Sequence, residues 1–142
     1  MKTLTITAKD ENLENLNTFI HSLLPDLTFL PEQRSRQLIN EIDLAIEEIF
    51  VNIAHYAYLQ KEEKCGPVTV QADFKDSILS VEFIDEGLPF NPLQRKDPDI
   101  TLSAEKREIG GLGIFLTKKF MDKVTYSFED NKNKLKIEKS LL

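Results

Sequence analysis

Val68-Thr69-Val70-Gln71-Ala72-Asp73-Phe74-Lys75-Asp76-Ser77-Ile78-Leu79-Ser80-Val81-Glu82-Phe83-Ile84 is the stretch that decides the fold. Val68, Val70 and Ala72 alternate with polar residues, the period of a strand with one buried face. Asp76-Ser77 is a tight turn, and residues 78–84 form the returning strand of a hairpin. Gly66-Pro67 marks the turn before it. A second hairpin follows near the end of the chain. Val124, Tyr126 and Phe128 alternate, Asn131-Lys132-Asn133 turns, and Leu135 and Ile137 alternate again. Hairpins imply a mixed, mostly antiparallel sheet.

Working outward, Leu4, Ile6 and Ala8 alternate with threonines as a half-buried strand. Asp10 is placed to cap the helix after it. In that helix Leu13, Leu16, Ile20 and Leu23/Leu24 recur at helical spacing, and Pro25 ends it. Residues 27–30 connect to a long helix with Pro31 in its first turn, running to about Tyr58. Ile42, Ile46, Ile49 and Ile53 form its main stripe, widened by Leu44, Phe50 and Val51. Residues 93–109 show many charges and little apolar periodicity, so they read as a mobile segment of about seventeen residues. A helix over residues 114–121 precedes the last hairpin. The order β-α-α-β-β-loop-α-β-β predicts an α+β two-layer sandwich with its helices on one face of the sheet.

The 142 residues fit one ordinary domain, so 1–142 reads as a single unit. With 30% charged and 41% hydrophobic residues the composition is that of a globular protein. A net charge of −6 argues against binding nucleic acid by phosphate neutralisation. The single cysteine, Cys65, allows no internal disulfide and suits a reducing compartment. The start, Met1-Lys2-Thr3-Leu4-Thr5-Ile6-Thr7, lacks the apolar run of a signal peptide, and no stretch is long enough to span a membrane. A cytoplasmic location is expected.

Three stretches carry chemistry. Glu48 and Asn52 are four apart on the long helix and share a side, about 110° from the centre of the isoleucine stripe. An amide oxygen suits Mg²⁺, and a carboxylate one turn away suits proton removal from a nucleophile. Asp85-Glu86-Gly87-Leu88-Pro89-Phe90-Asn91-Pro92 follows a strand. A carboxylate there accepts from an exocyclic amine such as that of adenine, whereas guanine presents an oxygen to it. Gly87 lets a planar base approach the backbone. Gly110-Gly111-Leu112-Gly113 opens a helix at Ile114, whose free N–H groups favour phosphates. It is neither a P-loop nor a dinucleotide fingerprint. Outside these stretches, His21 is expected at the core edge, and His55 and Tyr56 in packing. Each pattern alone is also common in ordinary flanks and turns.

Together, and in this order, the three stretches resemble the N-box, G1 box and G2 box of the GHKL ATPase superfamily, on the Bergerat fold. The chain looks most like the bacterial anti-sigma-factor serine/threonine kinases. Glu48-x-x-x-Asn52 with Tyr56-Ala57-Tyr58 resembles the N-box. Asp85-x-Gly87-x-Pro89-Phe90-Asn91-Pro92 is similar to the G1 box. Gly110-Gly111-Leu112-Gly113-Ile114-Phe115-Leu116, followed by Phe120-Met121-Asp122, resembles the G2 box. The resemblance implies that Asn52 binds Mg²⁺ and that ATP is held by Asn52, Asp85, Gly87, Pro89, Phe90, Gly110, Gly111, Leu112, Gly113 and Ile114. Residues 93–109, with Lys96, Lys106 and Arg107, would form a lid over the phosphates. Glu48 would act as base toward a serine of an anti-anti-sigma partner of the STAS fold, with a sigma factor as second client. Two departures stand out. Tyr56 occupies a place where relatives often have histidine, with His55 one earlier. Asn133-Lys134 stands where they often carry a threonine-like phosphate contact.

The rival to a kinase is a non-catalytic, ATP-dependent protein-binding module, and Glu48 favours the kinase. A histidine-kinase catalytic domain would need a phosphoacceptor helical hairpin, which His21-Ser22 does not resemble. A chaperone or mismatch-repair ATPase would need a further domain. The N-terminal strand offers an edge for a homodimer.

Overall fold

The computed structural model describes residues 1–94 and 112–141. β1 (Lys2–Thr7) leads through a 3₁₀ turn (Asp10–Asn12) into α1 (Leu13–His21) and α2 (Glu32–Asn52), which continues into a π turn (Ile53–Ala57). The hairpin β2 (Pro67–Lys75) and β3 (Ile78–Asp85) follows. After a short 3₁₀ turn (Pro92–Gln94) come α3 (Leu112–Phe120), β4 (Lys123–Glu129) and β5 (Lys132–Ser140).

The five strands form one sheet in the order β1-β2-β3-β5-β4. Every pairing is antiparallel, so the sheet of the described residues is not mixed. The α1–α2 excursion returns the chain antiparallel to β1, and α3 with β4 brings β5 back antiparallel to β3. The fold class is α+β, an open antiparallel sheet with three helices. Inward residues alternate along the strands: Val68, Val70 and Ala72 on β2, Leu79, Val81 and Phe83 on β3, Leu135 and Ile137 on β5. They pack with Leu16 and Ile20 of α1 and with the fully buried Ile42, Ile46, Ile49 and Phe50 of α2. The isoleucine stripe is therefore the helix face that meets the sheet.

Several local readings differ from the sequence expectation. Pro31 sits just before α2 rather than within it, and its carbonyl accepts from Arg34 and Ser35 N–H at 2.9 and 3.0 Å. Asp10 does not cap α1. Its carboxylate meets His55 Nε2 at 2.7 and 2.9 Å instead, and Asn12 Nδ2 donates to the Thr7 carbonyl at 2.8 Å. Long-range pairing has taken the side chain that local capping would have used. His21 pairs with Asp43 at 2.6 Å. The last turn lies at Asp130 and Asn131, with φ of 55° and 60°, not at 131–133. Two residues at positive φ make the primed turn that matches strand twist, and Asp and Asn tolerate it. β5 starts at Lys132, which moves Asn133 into the sheet.

Lys139, at the far end of β5, is buried on the core face. Its ammonium lies 3.3 Å from the Glu41 carboxylate of α2 and donates to the Phe120 carbonyl of α3 at 2.5 Å. One side chain thus ties the sheet to both helices. No helix among the described residues is long and apolar enough to cross a membrane.

Candidate functional site

The inward alternation of β3 ends at Asp85, and that of β5 begins at Asn133. The two residues face each other in register. Both are buried, at 5% and 6% exposure, so two polar groups close this end of the inward rows of β3 and β5. Asn133 Nδ2 donates to Asp85 Oδ1 at 3.0 Å, and the Gly87 N–H donates to the same oxygen at 2.9 Å. Burial raises the Asp85 pKa above the ordinary aspartate value of 3.8, while these two donors pull it back.

The loop after Asp85 is held from three sides. Asn133 Nδ2 donates to the Leu88 carbonyl at 2.9 Å and to the Gly87 carbonyl at 3.3 Å, and Asn133 Oδ1 accepts from the Phe90 N–H at 3.1 Å. Tyr58, fully buried, accepts from the Glu86 N–H at 2.8 Å and donates to the Pro67 carbonyl at 2.5 Å. Burial pushes its phenol up to about 12. The π turn supplies the third side. A Cβ on Gly87 would stand 2.3 Å from the Ala57 carbonyl oxygen. Gly87 is therefore required for space against the π turn, a reason the sequence reading did not foresee.

At its other flank α2 meets α3. A Cβ on Gly113 would fall 1.9 Å from Glu48 Oε2, so the Glu48 carboxylate lies directly against the first turn of α3. Burial, and then the charge of Glu47, raises the Glu48 pKa. Asn52 is one turn further on, half-buried on the same side. One continuous helical run, α2 with its π turn, touches the start of α3 through Glu48 and the Asp85 loop through Ala57.

Of the remaining expected residues, Pro89 and Phe90 are exposed within that loop and Ile114 is buried in α3. Gly110, Gly111 and residues 95–109 of the expected lid lie outside the described residues, as does the side chain of Leu112. No group of three or more His, Cys, Asp or Glu suited to a metal ion occurs among the described residues. A cavity of about 620 Å³ lined by residues such as His21, Leu27, Ser35 and Ile39 shares no residue with this arrangement. Asn133 and Tyr58 were not singled out as site residues from sequence. The usable signal for Asn133 was its place two residues before Leu135 on the apolar face, where an amide needs partners.

Known proteins are similar to this chain over two thirds or more of its length. The histidine kinase-like ATPase domain family matches residues 6–139. The serine-protein kinase RsbW of Listeria monocytogenes serovar 1/2a is 31% identical over 100 residues, covering 68% of this chain and 62% of that protein. The anti-sigma F factor of Clostridium acetobutylicum is 26% identical over 129 residues, covering 91% of this chain and 85% of that one. The anti-sigma F factor of Caldanaerobacter subterraneus is 25% identical over 124 residues, 87% and 81%. The chain thus spans less than two thirds of the RsbW protein it matches. With α1, α2, the β2–β3 hairpin, α3 and β4 inside the matched stretch, the chain belongs to the histidine kinase-like ATPase domain family, as a GHKL-type domain resembling the anti-sigma-factor kinases.

Proposed function

We propose that this domain, residues 1–142, is an ATP-dependent protein-serine/threonine kinase that phosphorylates an anti-anti-sigma partner of the STAS fold and sequesters a sigma factor. The observation that carries the reading is Glu48. Its raised carboxylate lies against Gly113, at the helix start whose N–H groups suit phosphate oxygens. The names of the relatives, a serine-protein kinase and anti-sigma factors, support the same activity.

In this reading Asp85 holds the 6-amino group of adenine. Pro89 and Phe90 border the base. Gly110, Gly111, Leu112, Gly113 and Ile114 hold phosphates through backbone N–H groups. The Asn52 amide oxygen fits Mg²⁺, which would neutralise phosphate charge when bound. Glu48 takes the proton from the partner's serine hydroxyl. The serine oxygen bonds to the γ-phosphorus, the bond to the β,γ-bridging oxygen breaks, and ADP leaves. A raised pKa makes Glu48 a better base near neutral pH.

The test is capture of partners by the purified chain with and without ATP·Mg²⁺, followed by phosphoserine analysis of what is retained. Glu48→Gln keeps the shape and removes the base. It should leave ATP affinity near native and slow phosphorylation about 10²- to 10⁴-fold. Native protein that binds ATP and partner yet transfers no phosphate would leave only the non-catalytic binding module.

A further inference from the structure

The inward row of β5 runs Asn133, Leu135, Ile137 and Lys139, so it carries an ammonium at its far end, on the core face. Lys139 Nζ donates to the Phe120 carbonyl at 2.5 Å and lies 3.3 Å from Glu41 Oε2. The other Glu41 oxygen accepts from Gln37 Nε2 at 3.1 Å. The Phe120 carbonyl closes α3, among the last carbonyls that have no partner within the helix. Two further bonds tie the chain just after α3 to β5. The Asp122 N–H donates to the Glu138 carbonyl at 2.9 Å, and the Asp122 carboxylate accepts from the Ser140 N–H at 2.5 Å. A buried ion pair is often no more stabilising than an apolar pair of like volume, so stability alone does not account for a lysine here. Apolar packing is non-directional, whereas a charge-assisted hydrogen bond to one carbonyl fixes a position.

That position matters at the other end of α3. The helix has nine residues, about 13 Å of length, and its first turn lies against Glu48. Free N–H groups there must meet phosphate oxygens within hydrogen-bonding distance, a tolerance of about 0.5 Å. A helix this short moves as one body, so a displacement at Phe120 is carried to Gly113. The ammonium also stands at the negative end of the helix dipole, whose positive end faces the phosphates. We propose that Lys139 is a positioning residue for the phosphate-binding end of α3. By joining the Phe120 carbonyl to Glu41 of α2, it sets where the first turn of α3 stands relative to Glu48. The proposal rests on the ATP reading above. Lys139 touches neither the base nor the reacting atoms, so its effect falls on the phosphates.

The experiment compares ATP with adenosine, which has the base and ribose without phosphates. ATP affinity is measured calorimetrically with Mg²⁺, and adenosine affinity by displacement of ATP. The whole chain is used as native protein, as Lys139→Met, as Lys139→Met with Glu41→Leu, and as Lys139→Arg. Native protein should prefer ATP. Lys139→Met should lower the ATP-to-adenosine affinity ratio about tenfold or more, with adenosine affinity held. The double variant leaves no unpaired charge and carries the same test should the single one fail to fold by circular dichroism. Its ratio should stay low even where urea denaturation finds its stability recovered. Lys139→Arg keeps donors for both the carbonyl and the carboxylate and should keep the ratio near native. A double variant with the native ratio, or equal losses of ATP and adenosine affinity, would reduce Lys139 to a structural tie. Native protein that gains no affinity from the triphosphate would instead remove α3 from phosphate binding, and the role of Lys139 with it.

Discussion

Burial gives Asp85 a pH-dependent cost to stability. Burial raises its pKa, so the native state holds the proton more tightly than the unfolded chain. Its charge therefore carries no penalty below the ordinary value of 3.8, and destabilises the native state increasingly as pH rises through the raised value. Asp85→Asn keeps an oxygen for Asn133 and Gly87 and removes the charge. Urea denaturation without nucleotide should find the variant more stable than native protein at pH 7, with the difference vanishing as pH falls below that ordinary value. A difference that grew on acidification would reverse the sign and the argument. ATP affinity should fall about tenfold or more, because an amide at 85 no longer guarantees an acceptor for the base. Glu48 is similar in kind, a carboxylate held above its usual range beside the start of α3.

At the scale of elements, the π turn at Ile53–Ala57 is the joint between the long helix and the loop after β3. π turns inside helices often mark functional places, and this one turns the Ala57 carbonyl toward that loop. The Leu88 N–H points to it at 3.4 Å, and Gly87 packs against it. Gly87 shows no left-handed φ, so alanine there is a question of space alone. The obstacle is backbone, which cannot rotate away. Gly87→Ala should cost about 1–3 kcal/mol of stability by chemical denaturation, the usual range for overpacking. It should also weaken ATP binding by displacing the loop from Asp85. Gly113→Ala differs, because its Cβ would meet the far end of the Glu48 side chain. Glu48 can swing aside, so the fold should hold while phosphoryl transfer slows. Native stability with impaired transfer in a kinase assay is the expected pair of results.

For the whole molecule, the Lys139–Glu41 pair joins β5, α2 and α3 in a place where both side chains are only 11% and 12% exposed. Removing Lys139 leaves the Glu41 carboxylate with the neutral Gln37 amide, which donates to it at 3.1 Å. Lys139→Met should cost about 3–5 kcal/mol in urea denaturation, since Glu41 keeps a buried charge and the Phe120 carbonyl loses its donor. The double variant Lys139→Met with Glu41→Leu should recover much of that loss, because it removes the unpaired charge that the single variant leaves. If the double variant were no better than the single one, the ammonium on Phe120, rather than the ion pair, would be what holds α3.

The sequence by itself determined the element order, the antiparallel hairpins and the isoleucine face of α2. Those follow from local rules: alternation at two, recurrence at three and four, and turn residues at fixed places. It also determined the family, because Glu48, Asn52, Asp85, Gly87 and Gly113 stand in a recognisable order. Only the tertiary structure decided what those residues touch. Asp10 left its expected helix for His55, 45 residues away. Asn133, read as a turn residue, became the cross-strand partner of Asp85, because a primed turn at Asp130-Asn131 shifted the start of β5. Gly87 makes room for Ala57, and Gly113 for Glu48, through helix packing that no spacing along the chain encodes. The physical reason is range. Periodicity reports which face of an element is apolar, whereas a buried hydrogen bond or a missing Cβ depends on which element arrives opposite it.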